Sequence, residues 1–276
     1  MRSLSVARCI AFVIAIAVSG IFTTNLSAQP RKKIVKKPAV KVAPSKPATP
    51  KMVPGTRVLI TTDSGNMVVR LYDSTPLHRD NFIAKVNEGF FDSLLFHRVI
   101  RGFMLQGGDP NSKHAQPGEM LGMGSAPGDR IPAEFRPTLF HKKGALAAAR
   151  DNNPEKASSN CQFYIVQGKK MTDQEIEMMA MQTGKPMLPE QKFAYKTLGG
   201  TPFLDQNYTV FGEVEIGIGI IDKIASVPTA PGDRPVSDVR MQMKVLTDAE
   251  FADLWKQANK KIIKPATQKT IKKKTR

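Results

Sequence analysis

Between residues 57 and 246 the sequence repeats short apolar runs separated by turn residues. The first two runs, residues 57–62 and 66–72, alternate around Asp63-Ser64-Gly65, which predicts a β-hairpin. Further short strands are predicted at residues 95–100, 103–106, 144–149, 162–167, 209–214 and 239–246. Many short strands with glycine-rich connections are typical of a sheet that closes on itself. The chain is therefore predicted to be mainly β.

Two helices are predicted beside these strands. Thr75 precedes Pro76, a pair that caps and opens a helix, and Phe82 and Val86 supply its apolar stripe. Residues 218–224 are predicted to form the second helix. The pattern thus predicts a closed β-barrel with two helices packed on it.

Residues 169–200 interrupt the strand pattern. Thr172 is predicted to cap a Met-rich helical segment, and Gly184, Pro186 and Pro189 are predicted to break it. The stretch is too short to bury a core of its own. It is therefore predicted to be a helical insertion between two strands of the barrel.

Positive charge is concentrated at the two ends of the chain. Of the 41 Lys and Arg residues, eight lie in residues 30–51 and nine in residues 256–276, and neither stretch contains an acid. Residues 52–255 hold 22 basic and 24 acidic residues, so the net charge of +17 does not arise in the region predicted to fold. No specific nucleic-acid site is predicted. The basic ends are predicted to be disordered, with adhesion to an anionic surface as the functional alternative to plain solvation.

The N-terminal end has the features of a secretory signal peptide. Arg2 and Arg8 flank the start of an apolar run that ends at Phe22, and a polar stretch follows that ends in Leu26-Ser27-Ala28. Residues 1–28 are predicted to export the chain to the periplasm, with secretion beyond it or an uncleaved membrane anchor as alternatives. The predicted organisation is then a Pro/Lys-rich linker (29–55), a folded domain (56–247) and a basic C-terminal tail (248–276).

Cysteine and histidine positions predict no metal site. Cys9 and Cys161 are the only cysteines, so the exported chain cannot build a disulfide framework or a cysteine zinc site. The four histidines have no metal-ligand spacing. We therefore expect no metal and no cofactor bound through these residues.

The densest group of chemistry-bearing residues is the stretch 96–109. Two apolar strands are predicted to meet here at Gly102. Arg98 stands among apolar neighbours in the first strand, and Met104 and Gln106 share one face of the second. A guanidinium, an amide and large apolar side chains are thus predicted to converge on a small patch.

This stretch resembles the signature of the cyclophilins, F-H-R-x-I-x-G-F-M-x-Q-G-G-D, at every specified position. Residues 144–150, 159–165 and 203–212 resemble three further motifs of that family, in the same order. Ala148 stands where the family usually has Met, and Phe203 where it has Trp. The resemblance covers about residues 57–246.

The resemblance implies a cyclophilin-like fold: a closed eight-stranded antiparallel β-barrel capped by two α-helices, here with a helical insertion and disordered basic tails. It implies catalysis by Arg98 and Gln106 without cofactor or metal. The substrate-binding residues that it implies are Phe103, Met104, Ala149, Arg150, Gln162, Tyr164, Phe203, Leu204, Tyr208 and Phe211. Phe211 matches a family position packed beneath the pocket.

The function that the resemblance implies is peptidyl-prolyl cis-trans isomerisation, which would assist the folding of exported, proline-containing polypeptides. One alternative is a non-catalytic chaperone that binds proline segments. Another is a scaffold held to an anionic surface by its basic tails. A monomer is expected.

Overall fold

The computed structural model describes residues 55–263, with side chains described through residue 260. The predicted signal peptide, the linker up to residue 54 and the tail from residue 264 lie outside the described residues. The strands are β1 (Arg57–Thr62), β2 (Gly65–Leu71), β3 (Arg98–Ile100), β4 (Met104–Gly107), β5 (Ala145–Ala148), β6 (Phe163–Val166), β7 (Val210–Ile216) and β8 (Met241–Leu246). The helices are α1 (Pro76–Asn87), α2 (Asp173–Thr183), α3 (Pro189–Thr197), α4 (Ile218–Ile224) and α5 (Asp248–Ile263).

The eight strands form one antiparallel sheet in the order β3-β4-β6-β5-β7-β2-β1-β8. The predicted hairpin of β1 and β2 is confirmed, with Ile60 opposite Met67. The sheet curves into a half-barrel whose concave face is filled by apolar side chains. Phe82 of α1 and Ile221 of α4 are buried in this core. The two helices predicted to pack on the strands are therefore present and contribute to the interior.

The prediction of a closed barrel is wrong. The sheet ends at β3 and β8, which are joined only by an isolated bridge between Leu95 and Arg240 and by single backbone hydrogen bonds such as Phe96 N–H to the Val239 carbonyl, 2.9 Å. Strand β3 has only three residues, and residues 94–96 before it meet β8 through these isolated contacts instead of a continuous ladder.

The insertion contains two helices, whereas the sequence predicts one. Pro189, predicted as a helix breaker, occupies the first turn of α3, where a missing N–H costs no hydrogen bond. Thr172 caps α2 as predicted, in a reciprocal capping box with Glu175. The insertion is therefore a helix pair between β6 and β7.

The predicted disordered tail also begins as a helix. At the start of α5 the Thr247 hydroxyl accepts from the Glu250 N–H, and the Glu250 carboxylate accepts from the Thr247 N–H, 2.8 Å. Phe251 is buried beneath the Arg57 guanidinium, 4.0 Å from the ring centroid. These contacts order a segment that its charge pattern alone suggests is solvated. Within residues 55–263, no helix has the length and apolar character needed to cross a membrane.

His97 is a buried group whose protonation opposes folding. Its side chain is buried beside β3, and desolvation lowers its pKa to about 4 against the partial opposition of Asp109. A pKa lowered by folding stabilises the native state above the unfolded-state value near 6.5, and this stabilisation is lost as the pH falls towards 4. We expect the free energy of unfolding to fall by about 3 kcal/mol over this range from His97 alone.

Urea unfolding at pH values from 7.5 to 4 measures this effect. The matched variant His97→Gln should show a shallower decline, and the slope that remains is assigned in part to His78, whose pKa burial also lowers. Equal slopes for the two proteins would contradict the assignment.

Candidate active site

The predicted site residues lie in a row across the outer face of the sheet. Arg98 on β3 is paired with Gln106 on β4, and Gln106 is paired in turn with Tyr164 on β6. Their neighbours Leu105 and Ile165 point into the core. Because side chains alternate along a strand, the row faces outward. The predicted convergence of Arg98, Met104 and Gln106 on one face is confirmed.

A cavity of about 120 Å³ opens over this row. Its lining combines apolar side chains with two guanidiniums, one amide and two tyrosines. The lining residues are Arg98, Phe103, Met104, Gln106, Ala149, Arg150, Tyr164, Leu204 and Tyr208. All nine belong to the set predicted from the sequence.

Three other predicted residues lie outside this lining. Phe203 is about half exposed and packs on Phe103 with ring centroids 5.6 Å apart, so it forms a rim. Gln162 lines a second cavity beside the first. Phe211 is buried in the core against Phe82, 5.4 Å between centroids. On β7 it is Val210 that faces the outer cluster, so Phe211 has no direct place in either cavity, and its part in substrate binding stays a prediction.

Arg98 is held loosely at the cavity edge. Its Nε donates to the Asp233 carboxylate at 3.4 Å, and both side chains are more than 40% exposed. Asp233 is fixed from its own backbone, where its carbonyl accepts from the Val99 N–H at 2.8 Å and its φ is +61°. Asp233 could not be predicted as a neighbour of the site, since nothing in its local sequence pattern connects it to β3.

Gln106 is oriented by a chain of amides. Its Nε2 donates to the Gln162 Oε1 at 3.0 Å, and the Gln162 Nε2 donates to the carbonyls of Gly122 and Gly124 at 2.9 and 2.7 Å. The buried Asp109 carboxylate accepts the backbone N–H groups of the same two glycines. The loop that carries them is thus fixed on both sides, and Gln106 is fixed through it.

The second cavity, about 480 Å³, extends from this loop. It shares Gln106, Ala149 and Arg150 with the smaller cavity. Its other lining residues are Gly122, Met123, Gly124, Ser125, Ala126, Gly128, Arg130, Asp151, Ser159, Asn160 and Gln162. Apart from Gln162 these were not predicted; the signal available was the glycine-rich stretch 122–128, which has no strand or helix pattern.

The site contains polar donors and apolar walls and no arrangement for covalent chemistry. Burial raises the pKa of Tyr164, so its hydroxyl stays protonated at neutral pH. Among the described residues, no group of three or more His, Cys, Asp or Glu side chains could hold a metal ion. The arrangement suits a reaction that needs binding and a hydrogen-bond donor.

Comparison with known proteins identifies the fold and the family. The sequence profile described as "Cyclophilin type peptidyl-prolyl cis-trans isomerase/CLD" matches residues 57–245, more than half of the chain. The chain belongs to this family. The match spans the eight strands and both cavities of this cyclophilin, and its ends agree with β1, the first strand in the chain, and β8, the last.

Two bacterial relatives are similar to this cyclophilin over the same region. A putative peptidyl-prolyl cis-trans isomerase of Staphylococcus aureus is 35% identical over 186 residues, which cover 66% of this chain and 87% of that protein. A putative bifunctional phosphatase/peptidyl-prolyl cis-trans isomerase of Streptococcus pyogenes is 36% identical over 188 residues. The match covers 67% of this chain but only 37% of the S. pyogenes protein.

A solved structure shares the fold. The cyclophilin type peptidyl-prolyl cis-trans isomerase of Cryptosporidium parvum, crystallised in the presence of the dipeptide Ala-Pro, aligns with a TM-score of 0.52 and 21% identity. The alignment covers 70% of this chain and 99% of that one. At this identity the likeness concerns the fold alone.

Proposed function

We propose that this cyclophilin accelerates rotation about X-Pro bonds in exported polypeptides, with the proline ring in the 120 Å³ cavity and Arg98 as the principal catalytic donor. The observation that carries the proposal is the placement of Arg98 and Gln106 side by side at the edge of an apolar cavity. The apolar wall formed by Phe103, Met104 and Leu204 suits the pyrrolidine ring.

Prolyl isomerisation needs no bond to break. The barrier of roughly 18–20 kcal/mol arises because rotation removes the amide resonance. In the twisted state the prolyl nitrogen regains a lone pair and can accept a hydrogen bond, which the planar ground state cannot. A guanidinium is a donor at every physiological pH. Arg98 therefore stabilises the twisted state more than the ground state, which is the requirement for catalysis.

Gln106 serves the part of the substrate beside the prolyl ring. One of its amide N–H groups is committed to Gln162, and its Oε1 remains oriented as an acceptor at the junction of the two cavities. A peptide that enters the small cavity continues past Ala149 towards the larger one. The substrates proposed are proline-containing polypeptides.

Export is the second part of the proposal. It is supported by the charged start, apolar run and small-residue end of residues 1–28, followed by the Pro/Lys-rich linker. The periplasm is the destination proposed, and the basic tails are proposed to interact with anionic surfaces there. Slow proline-limited folding steps, which take about 10–100 s unaided, are the events such an enzyme would accelerate.

One experiment with two arms tests the proposal. In the first arm, the full chain is added to a refolding protein whose slow phase depends on one cis-proline, and to the same protein with that proline replaced. Acceleration of the first protein only is expected. Binding without acceleration would instead establish a non-catalytic holder. In the second arm, the chain is recovered from the periplasmic fraction and its N-terminus determined; an uncleaved chain in the cytoplasm would contradict export.

A further inference from the structure

We infer that Tyr195, in the inserted helix α3, is a positioning residue for the proline cavity and acts on it through a buried chain of hydrogen bonds. The inference rests on the proposed function, because the cavity it concerns is the one assigned to proline. It gives the insertion a role in the catalytic domain.

The chain of hydrogen bonds runs through four side chains. The Tyr195 hydroxyl donates to Asp205 Oδ2 at 2.6 Å. Asp205 Oδ1 contacts His141 Nδ1 at 2.8 Å, and His141 Nε2 contacts the Tyr164 hydroxyl at 2.9 Å. His141 and Tyr195 are fully buried, and Tyr164 is 5% exposed. The path therefore leads from the insertion to the wall of the cavity without a gap.

The Asp205 carboxylate is the acceptor at the centre of the chain. Its Oδ1 also accepts the backbone N–H of His141 at 2.9 Å, so both oxygens face donors and the group acts as acceptor throughout. His141 Nδ1 then carries the proton. The Tyr164 hydroxyl lies 2.9 Å from Nε2 and completes the chain. The four groups form one continuous network.

This network holds two walls of the cavity at once. Tyr164 lines the cavity, and its ring stacks on His141 with an interplanar angle of 13°. Leu204, another wall, immediately precedes Asp205 in the chain and sits in the 3₁₀ turn Pro202–Leu204 that Asp205 ends. A change in the position of the Asp205 carboxylate therefore moves both Tyr164 and Leu204.

Tyr195 is itself fixed at the base of the insertion. Its ring packs edge-on against Phe140, 5.5 Å between centroids, and its carbonyl accepts the Met171 N–H at 3.1 Å. The backbone of Gly200 passes so close that a β-carbon there would lie 2.5 Å from the Tyr195 ring. A side chain held this tightly can fix the orientation of the carboxylate that it contacts.

A double-mutant cycle tests the inference. Tyr195→Phe removes one hydroxyl and keeps the ring. In the otherwise unchanged protein it is expected to lower kcat/KM for a proline peptide about fivefold, which corresponds to the net free energy of one hydrogen bond. Tyr164→Phe breaks the chain of hydrogen bonds at its other end. If Tyr195 acts through the chain, adding Tyr195→Phe to Tyr164→Phe should cost less than about twofold more.

The control variant is Lys196→Ala, which removes the Lys196–Asp173 ion pair between the inserted helices and leaves the chain intact. It is expected to keep wild-type kinetics. NMR of labelled tyrosine supplies a readout independent of activity: Tyr195→Phe should shift the Tyr164 ring signals, and Lys196→Ala should not. Unchanged Tyr164 signals, or losses from Tyr195→Phe and Tyr164→Phe that simply add, would overturn the inference. An inactive wild-type protein whose Tyr164 signals respond would overturn the proposed function alone.

Discussion

Arg98→Ala is expected to lower the kcat/KM for a proline peptide by about a hundredfold, with the binding constant of the peptide changed by less than about threefold. Removing one preorganised donor from a transition state typically costs 10²–10³ in rate. The planar prolyl nitrogen of the bound ground state offers no lone pair to this donor, so binding depends chiefly on the apolar walls. The contact between Arg98 and Asp233 is 3.4 Å long and exposed to solvent, so it contributes little free energy. Little is therefore lost when Arg98 leaves Asp233 and donates to the substrate.

Arg101 supplies the matched control for this variant. Arg101 directly follows β3, the strand that carries Arg98. Its guanidinium donates to the carbonyls of Ala225 and Ser226, away from the cavity. Arg101→Ala should keep kcat/KM within about twofold. Coupled peptide assays give the rate, and isothermal titration gives the affinity. A variant Arg98→Ala that binds peptide poorly but turns it over at the normal rate would show that Arg98 serves binding and leave catalysis to another group.

The strands and their faces could be predicted because each depends on local residue order. Strand β1 and helix α4 have the predicted bounds, and the alternation that groups Arg98 with Gln106 is a direct property of extended chain. Helix α3 is not predicted from the sequence, because the proline at position 189 fits a helix break as well as the first turn of a helix. The pattern does not show whether a proline ends one helix or begins the next.

Features that depend on distant residues could not be predicted in the same way. The opening between β3 and β8 depends on how residues 94–96 meet β8, which the apolar pattern of residues 95–100 does not indicate. Helix α5 depends on Phe251 packing beneath Arg57, nearly two hundred residues away. In the site, nine of the twelve residues given by family motifs line the small cavity, whereas Asp233 and Tyr195 lie outside those motifs. Only their contacts in the folded structure place these two residues beside the site.

The point where the insertion leaves the sheet and returns to it depends on two glycines packed backbone to backbone. Gly168 follows β6, has a φ of +64°, and donates its N–H to the Phe103 carbonyl at 3.0 Å. A β-carbon on Gly168 would lie 2.3 Å from the Gly200 Cα and 2.5 Å from the Gly200 N. Both are backbone atoms that cannot rotate aside. The returning segment is tied here by the Gly200 N–H to the Lys169 carbonyl, 3.1 Å.

Gly168→Ala is therefore expected to lower the free energy of unfolding by roughly 3–4 kcal/mol, within the range of severe single substitutions. Gly184 is the matched control, because it has the same φ of +64° at the end of α2 but nothing within 4 Å of its would-be β-carbon. Gly184→Ala should cost only the left-handed strain, about 1–2 kcal/mol. Urea unfolding of the two variants measures the difference. Equal losses of unfolding free energy in the two variants would show that backbone strain alone matters at Gly168. A larger loss in Gly168→Ala, together with a KM raised by a shift of Phe103, would show that the close contact of the two segments shapes the cavity wall.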